Sequence, residues 1–332
     1  MNKITYLDGK RLHRALVAGI NNVISNQEYL NKINVFPVPD GDTGTNMAFT
    51  LTSILDSTEE KVYTRADEML EYIADAALDG ARGNSGVILA QFFQGLSDGS
   101  AGVDKMTPEH FSKAIQFGAE YAREALAEPK EGTILTVLTD FSNHLVQLVQ
   151  DQTYDFEHLL EQGIKEAEKS LDNTPNLLAV LKKAGVVDAG AKGFVDLLHG
   201  IFSFIKTGNL KGFKADLKSR QINANVEKNE IEVENSKYRY CTECIIINEN
   251  IDRKVLREAL LDKGDSLVLA GSKKKAKIHI HVNEPSEVFS ICSEFGKVSG
   301  EKADDMWQQQ EDAQGHKFKG VAIGLEILEL FK

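Results

Sequence analysis

The sequence is poor in basic residues, in long apolar runs and in cysteine. Its 332 residues carry 38 Lys and Arg against 50 Asp and Glu, which gives a net charge of −12. Binding to nucleic acid needs clustered basic side chains that neutralise phosphates, so the acid excess argues against a nucleic-acid partner. A chain of this length is expected to hold two domains, each able to bury its own core.

Long apolar segments are also missing. The first residues contain no apolar stretch of signal-peptide length, and no later run approaches the roughly 20 residues that a membrane helix needs. We therefore expect a cytoplasmic protein without a transmembrane segment. The few cysteines form an odd set in the last third of the chain, which favours free thiols or metal ligands over disulfides: Cys241, Cys244 and Cys292.

Strand-like alternation is missing from the first part of the chain. Apolar residues recur there at helical spacing, which predicts an all-α domain over residues 1–206, built as an antiparallel bundle or barrel. Two of its predicted helices span 155–171 and 176–183, with a break between them. Loss of periodicity then predicts a linker over 207–234. A period of two in 235–310 predicts a small α+β domain of order βαββα, and 311–332 resembles the start of a further element.

The densest polar segment is NVFPVPDGDTGTNM, residues 34–47. Its two prolines hold the chain extended, so the carboxylates of Asp40 and Asp42 can point the same way and share Mg²⁺. Thr43, Thr45 and Asn46 follow at a predicted helix start, where free N–H groups attract an anion. An ordinary turn with a helix N-cap is the alternative for this segment taken alone.

A second polar turn, GARGNSG at residues 80–86, precedes another predicted helix. Gly83, Asn84 and Ser85 offer a second anion-binding helix start. Together with the carboxylate pair, two such starts describe a nucleoside triphosphate site. The sequence contains no P-loop motif, and no predicted strand precedes either turn, which excludes a Rossmann site. A plain helix-to-helix turn is the alternative.

The second domain contains the alternating segment KIHIHV, residues 277–282. His279 and His281 share one strand face, about 6 to 7 Å apart. Cys241 and Glu243 share a face of another predicted strand. If the two strands are neighbours, Cys241 and both histidines can meet around Zn²⁺, with Glu243 or water as the fourth ligand. A polar sheet face with two ordinary histidines and a thiol is an equally open interpretation.

The chain as a whole resembles the bacterial fatty acid kinases, whose N-terminal domain is similar to the nucleotide-binding subunit of dihydroxyacetone kinases. The segments that carry the resemblance are residues 34–47, 80–89, 131–136, 173–178 and 186–193. The resemblance implies a barrel of antiparallel helices that binds ATP and two Mg²⁺. It also implies phosphoryl transfer to a fatty acid presented by a separate DegV-type binding protein, which yields an acyl phosphate for phospholipid synthesis.

The resemblance also implies roles for individual residues. Asp40 and Asp42 would hold Mg²⁺, with Asn34 beside the ions as a further metal residue. The phosphates and the rest of the nucleotide would contact the following residues: Thr43, Thr45, Asn46, Gly83, Asn84, Ser85, Thr133 and Asp188. In the middle domain, the zinc ligands would be Cys241, His279 and His281, and this domain would pair two protomers into a homodimer.

Two departures from the family pattern bear on function. Ala191 replaces an expected glycine, and the chain stops where a third domain, which engages the lipid-binding partner, would begin. We therefore expect nucleotide binding to survive and acyl transfer to be weak or absent. Two other functions stay open: a phosphotransfer subunit like that of dihydroxyacetone kinases, which the spacing before Asp40 disfavours, and a nucleotide-binding scaffold without turnover.

Overall fold

A computed structural model of the chain describes residues 4–151, 155–208 and 237–308. Most of the predicted linker, 207–234, and the whole of the predicted last segment, 311–332, lie outside these residues. The part up to residue 208 is helical, and the part from residue 237 contains a four-stranded sheet with two helices. The helix-rich first part and the α+β second part expected from the sequence are confirmed.

The first part consists of α1 to α10, which are joined by short turns. Their bounds are α1 Gly9–Ser25, α2 Gln27–Lys32, α3 Thr43–Glu60, α4 Ala66–Asp79, α5 Gly83–Gly99, α6 Pro108–Ala125, α7 Ile134–Asp151, α8 Phe156–Leu177, α9 Ala179–Ala184 and α10 Ala189–Thr207. Helix α5 packs along α6, and α1 packs along α10. In the described residues, no helix combines the length and the apolar character needed to cross a bilayer.

Side-chain caps fix where several helices begin. Asp8 accepts a hydrogen bond from the N–H of Arg11 at 2.9 Å, Thr107 caps α6 through His110, and Asp155 caps α8 through His158. Such caps satisfy backbone donors that the first turn leaves without a partner. The apolar faces of these helices then pack into one continuous core, whose largest fully buried side chains include Phe141, Phe156 and Phe194.

The helix break predicted between residues 171 and 176 is wrong. Helix α8 continues through Pro175 to Leu177, and α9 starts only at Ala179. Proline cannot donate to the carbonyl four residues earlier, which is that of Leu171. The hydroxyl of Thr174 donates to the Leu171 carbonyl at 2.8 Å instead. This replacement bond lets the helix tolerate proline in its last turn.

The second part is an antiparallel sheet with strand order β2-β3-β1-β4. Its elements are β1 Tyr240–Ile247, α11 Arg253–Leu260, β2 Asp265–Gly271, β3 Lys275–Val282, α12 Pro285–Phe295 and β4 Lys297–Asp305. Strands β1 and β3 are neighbours, with Cys241 opposite His281 and Glu243 opposite His279. The other face of these strands carries an apolar core that includes Cys244, Ile278 and Ile280.

The sheet packs directly against the helical part, mainly through β2 and α5. Gln91, buried on α5, accepts a hydrogen bond from the N–H of Gly271 at 2.6 Å. A backbone bridge joins Leu126 and Val268, and Lys275 forms ion pairs with Asp75 and Asp79 at the end of α4. These contacts set the distance between the polar sheet face and the helix starts.

Removing the Gln91 side chain should weaken this packing. Gln91→Ala leaves the buried N–H of Gly271 without an acceptor, which costs about 1–3 kcal/mol of unfolding free energy. Gln94→Ala on the same helix is the matched control, because Gln94 bonds to Asp98 at the surface. Urea unfolding should therefore give a clearly lower stability for Gln91→Ala than for Gln94→Ala. Equal losses would show that the Gln91–Gly271 bond is not a stabilising contact.

Candidate functional site

The turn before α3 is held by Asn34. Its side-chain oxygen accepts hydrogen bonds from the N–H groups of Asp42 and Thr43 at 3.2 and 3.1 Å, and from the Thr43 hydroxyl at 2.9 Å. The Asn34 side chain therefore caps the start of α3. It lies beside the carboxylates as predicted, although direct contact with a metal would have to displace these donors.

Asp40 and Asp42 lie side by side at the mouth of this turn. The N–H of Asp42 points to the Asp40 carboxylate at 3.4 Å. Burial, and then the neighbouring charge of Asp42, raise the pKa of Asp40 to about 8. Two carboxylates that repel each other in a partly buried place need a cation or a proton between them. The pair thus has the properties of a site for a hard divalent cation.

The start of α5 lies against the start of α3. Gly83 has a φ of +56°, and a Cβ atom there would lie 2.2 Å from Nδ2 of Asn46, so no other residue fits. The side-chain oxygen of Asn84 is buried and has no hydrogen-bond partner. An unpartnered buried acceptor of this kind is expected where a ligand or its ion completes the site.

One cavity of about 240 Å³ brings the predicted residues together. Both helix starts and the carboxylate pair line it on one side, and the polar face of the sheet lines it on the other. The predicted residues on its wall are Asn34, Asp40, Asp42, Thr43, Thr45, Asn46, Gly83, Asn84, Ser85, Cys241, His279 and His281. The magnesium and zinc candidates, predicted as separate sites, line one cavity in the structure.

The cysteine and histidines form a compact cluster on neighbouring strands. The potential ligand atoms of Cys241, His279 and His281 all lie within 4.8 Å of one another. The Cys241 sulfur is 3.7 Å from Nδ1 of His279, and Nε2 of His279 is buried without a partner. One thiol and two imidazoles make a donor set suited to Zn²⁺.

The electrostatics of the cluster favour a thiolate. Burial by itself raises the pKa of Cys241, but the charge of His279 and hydrogen bonds from both histidines lower it to about 7. Glu243 lies next to this cluster. Burial again works against its charged form, yet bonds from His279, the charge of Lys277 and the N–H of Gly83 lower the pKa of Glu243 to about 2. Glu243 is therefore a buried carboxylate ion.

A second cavity of about 520 Å³ adjoins the first and is lined largely by apolar groups. Pro37, Asn84 and Ser85 line both cavities. Thr133 and Asp188, predicted for the rest of the nucleotide, lie on the wall of the second one. Asp188 caps α10 through the N–H of Ala191 at 2.8 Å, and burial raises its pKa to about 6 despite that bond and one from Ile134.

Two features of the first cavity were not predicted. The guanidinium of Arg82 lies 3.9 Å from the ring centre of Phe49, whose side chain is exposed at the cavity wall. This contact places a cation on the wall of the cavity that the carboxylate pair also lines. Glu243 was considered only as a fourth zinc ligand, yet it reaches across to the helical part. Arg82 stands inside the polar turn 80–86, so its position there was the available signal.

Two family models match this chain. The DAK2 domain model matches residues 37–203, half of the chain, and the model for the middle domain of FakA-like fatty acid kinase proteins matches residues 237–313. The first range covers the helical part from the turn before α3 into α10, and the second covers the sheet. The cavity between them is therefore formed by both matched domains.

Curated relatives extend over the same residues. An uncharacterized protein of Staphylococcus epidermidis is 35% identical over 96% of this chain, and one of Staphylococcus aureus is 34% identical over 99%. The chain spans 58% and 64% of their respective lengths.

Among solved structures, dihydroxyacetone kinase from C. freundii in complex with AMP-PNP and Mg²⁺ aligns with a TM-score of 0.46 and 16% identity, over 60% of this chain and 35% of that one. A similarity this weak transfers no residue role. The sequence models are far more specific, because each matches one of the two parts and together they follow the order of the chain. The chain therefore belongs to the family of FakA-like fatty acid kinase proteins, with a DAK2 domain followed by the FakA-like middle domain.

Proposed function

We propose that the cleft binds ATP with Mg²⁺ and that the protein transfers the terminal phosphoryl group to the carboxylate of a fatty acid. The observation that carries this proposal is the meeting of the Asp40/Asp42 pair with two helix starts in one cavity, beside a larger and more apolar one. A triphosphate with its metal suits the first cavity, and a nucleoside suits the second.

The carboxylate pair fits two Mg²⁺ ions. Asp40 is held close to Asp42 and keeps a raised pKa until a cation compensates the pair. Bound Mg²⁺ would supply charge neutralisation on the phosphates. The chain's own residues do the positioning: Asn34 fixes the turn, and the starts of α3 and α5 present polar side chains to the cavity. The residues proposed to contact phosphate are Thr43, Thr45, Asn46, Gly83, Asn84 and Ser85. The N–H groups of Thr43 and Gly83 are already held by Asn34 and Glu243, so a phosphate would meet these two residues through their other atoms.

The acceptor requires no general base. A fatty acid carboxylate is already an anion, so one of its oxygens attacks the γ-phosphorus while the bond to the β–γ bridging oxygen breaks and ADP leaves. The products are an acyl phosphate and ADP. Arg82, stacked on Phe49 at the cavity wall, is a cation able to stabilise the charge that develops in this step.

The fatty acid acceptor is supported by the family of the second domain, whose model is that of the FakA-like fatty acid kinase proteins. We propose that a separate DegV-type protein presents the lipid. We further propose that the helices form an antiparallel barrel, that the protein is cytoplasmic and that it pairs as a homodimer through the middle domain. Phosphotransfer to dihydroxyacetone and nucleotide binding without turnover are the competing outcomes of the experiments.

The Cys241, His279 and His281 cluster fits Zn²⁺. Its donors are one sulfur and two ring nitrogens, and Nε2 of His279 is buried without a hydrogen-bond partner. Zn²⁺ would hold the two strands together at the cavity wall. Glu243, already bonded to three groups, is a poor fourth ligand, which leaves water from the cavity for that place.

Magnesium-dependent nucleotide binding is the first expected result. Calorimetric titration with a non-hydrolysable ATP analogue should show binding with Mg²⁺ that Asp40→Asn weakens at least about tenfold, or 1.4 kcal/mol. Asp56→Asn, an exposed carboxylate further along α3, should leave binding unchanged. If the analogue binds neither with nor without Mg²⁺, the helical domain does not bind ATP and the proposal fails.

Acceptor specificity needs a separate assay. Acyl phosphate, trapped with hydroxylamine, should form only when a DegV-type protein loaded with fatty acid is added. Dihydroxyacetone as acceptor should give no product. Phosphorylation of dihydroxyacetone would favour the rival kinase function, and no turnover on either acceptor would favour a scaffold.

The stability of the metal-free protein should fall as pH rises. Because the folded-state pKa of Asp40 is about 8 and its usual value is near 3.8, the folded chain holds a proton that the unfolded chain releases in this window. Melting curves should thus show a lower Tm at about pH 8 than at about pH 6. Addition of Mg²⁺ should raise the Tm by a larger amount at the higher pH. Asp40→Asn should remove the share of this dependence that Asp40 contributes. His279, whose folded-state pKa is raised to about 10, adds to the fall, and Cys241, whose folded-state pKa is lowered to about 7, opposes it. An unchanged slope in that variant would contradict the Asp40 assignment.

Zinc content tests the second metal site. Cys241→Ser should remove the metal from purified protein as measured by atomic emission, because the sulfur ligand is lost. Cys244→Ala is the matched control: this cysteine lies on the same strand but in the apolar core on the other face. Zinc retained in Cys241→Ser, or lost equally in both variants, would rule out the cluster as its site.

A further inference from the structure

Glu243 connects the two parts of the protein at the cavity. It lies on β1, and the residue is only 3% exposed. One carboxylate oxygen accepts the N–H of Gly83, the first residue of α5, at 2.8 Å. The same oxygen lies 2.9 Å from Nδ1 of His279, and the other lies 3.4 Å from the Lys277 ammonium. A single buried carboxylate therefore contacts both a cluster histidine and a helix start.

The position of Glu243 is unusual for a metal ligand. Its oxygens are already engaged by a backbone donor, a ring nitrogen and an ammonium group, which leaves little capacity for a direct bond to metal. A histidine that binds metal commonly directs its other ring nitrogen to a carboxylate, which orients the ring. Glu243 contacts His279 at Nδ1, which also lies 3.7 Å from the Cys241 sulfur, while Nε2 is buried without a partner. A metal held at Nε2 would leave Nδ1 to Glu243 and give the carboxylate this position.

The other end of the contact is equally specific. The first N–H groups of a helix are the groups that attract a phosphate. Gly83 is confined by Asn46, so its N–H has a fixed direction, and Glu243 takes that donor. The neighbouring Asn84 and Ser85 remain directed to the cavity. Because the Gly83 N–H is held by Glu243, the orientation of Asn84 and Ser85, which follow it in the first turn of α5, is held as well.

A second carboxylate near the cluster provides a contrast. Asp265 lies 3.4 Å from Nδ1 of His281, but its side chain is half exposed. Its side chain also bonds to Ser266, so both of these partners belong to the sheet domain. Asp265 therefore orients a cluster histidine from within that domain. Glu243 is the carboxylate through which the cluster touches the helix start.

We infer that Glu243 is a positioning residue that couples occupancy of the Cys241–His279–His281 cluster to nucleotide binding at the start of α5. This inference rests on the proposed function, since it needs both a nucleotide and a metal in the places proposed above. A metal fixes the His279 ring, the ring fixes the Glu243 carboxylate, and the carboxylate fixes the first N–H of α5. Coupling of this kind is reciprocal, so a bound nucleotide must strengthen metal binding by the same factor.

Zinc retention tests the coupling without any measurement of activity. Transfer of Zn²⁺ from the full chain to a colorimetric chelator is measured with and without AMP-PNP and Mg²⁺. In the wild type, the nucleotide should raise the apparent zinc affinity on the order of tenfold. In Glu243→Ala, the rise should be below about twofold, since the link is cut while the three ligands remain. Glu287→Ala, an exposed carboxylate of the same domain, should behave as the wild type.

The outcomes separate the inference from the function on which it rests. A wild type that binds AMP-PNP and zinc independently overturns the coupling and leaves the proposed function intact. Wild-type coupling that persists in Glu243→Ala overturns the role of Glu243. A wild type that does not bind AMP-PNP or zinc rejects the proposed function and the inference together. If Glu243→Ala does not fold, Glu243→Met replaces it: methionine fills a similar volume but offers no oxygen to Gly83 or His279, and full wild-type coupling in this variant contradicts the inference.

Discussion

The contact between α5 and the sheet is the constraint on which the site depends. Helix α5 is buried along most of its length because α4 and α6 pack on it from one part of the protein and β2 from the other. Gln91 fixes the middle of the helix to Gly271, and Glu243 fixes its start at Gly83. Since both bonds are buried, neither part can shift without leaving a polar group unsatisfied. The cavity therefore has rigid walls from two domains.

Much of this arrangement follows from local sequence signals. Helical periodicity predicts the first part, and strict alternation predicts the strands that carry Cys241, His279 and His281. Dense polar turns identify both helix starts. Each signal works because it reflects chemistry within a few residues: a cap, a turn, or a strand face. The parity of the two strands even predicts which side chains meet, provided that β1 and β3 are neighbours, as the structure has them.

Features that depend on contacts between distant parts of the chain could not be predicted from the sequence pattern. No periodicity indicates that Glu243 contacts Gly83, 160 positions away, or that the two candidate metal sites face one cavity. The raised pKa of Asp40 likewise arises from burial that only the folded chain creates. The predicted break between residues 171 and 176 is wrong for a different reason. Pro175 leaves the Leu171 carbonyl without its backbone donor, but the hydroxyl of Thr174 donates to that carbonyl and the helix continues.

The order of the sheet limits how this domain can associate. Edge strand β2 is covered by the segment after α6, which forms backbone bonds with Leu267 and Val268. Edge strand β4 pairs with β1 on one side and has no strand on its outer side in the described residues. It carries the exposed charged side chains of Lys297, Glu301 and Lys302, and Gly300 interrupts it. Charged edges of this kind oppose the addition of another strand. Two protomers that pair through this domain would therefore meet by the packing of faces or helices, and growth into a continuous intermolecular sheet is disfavoured.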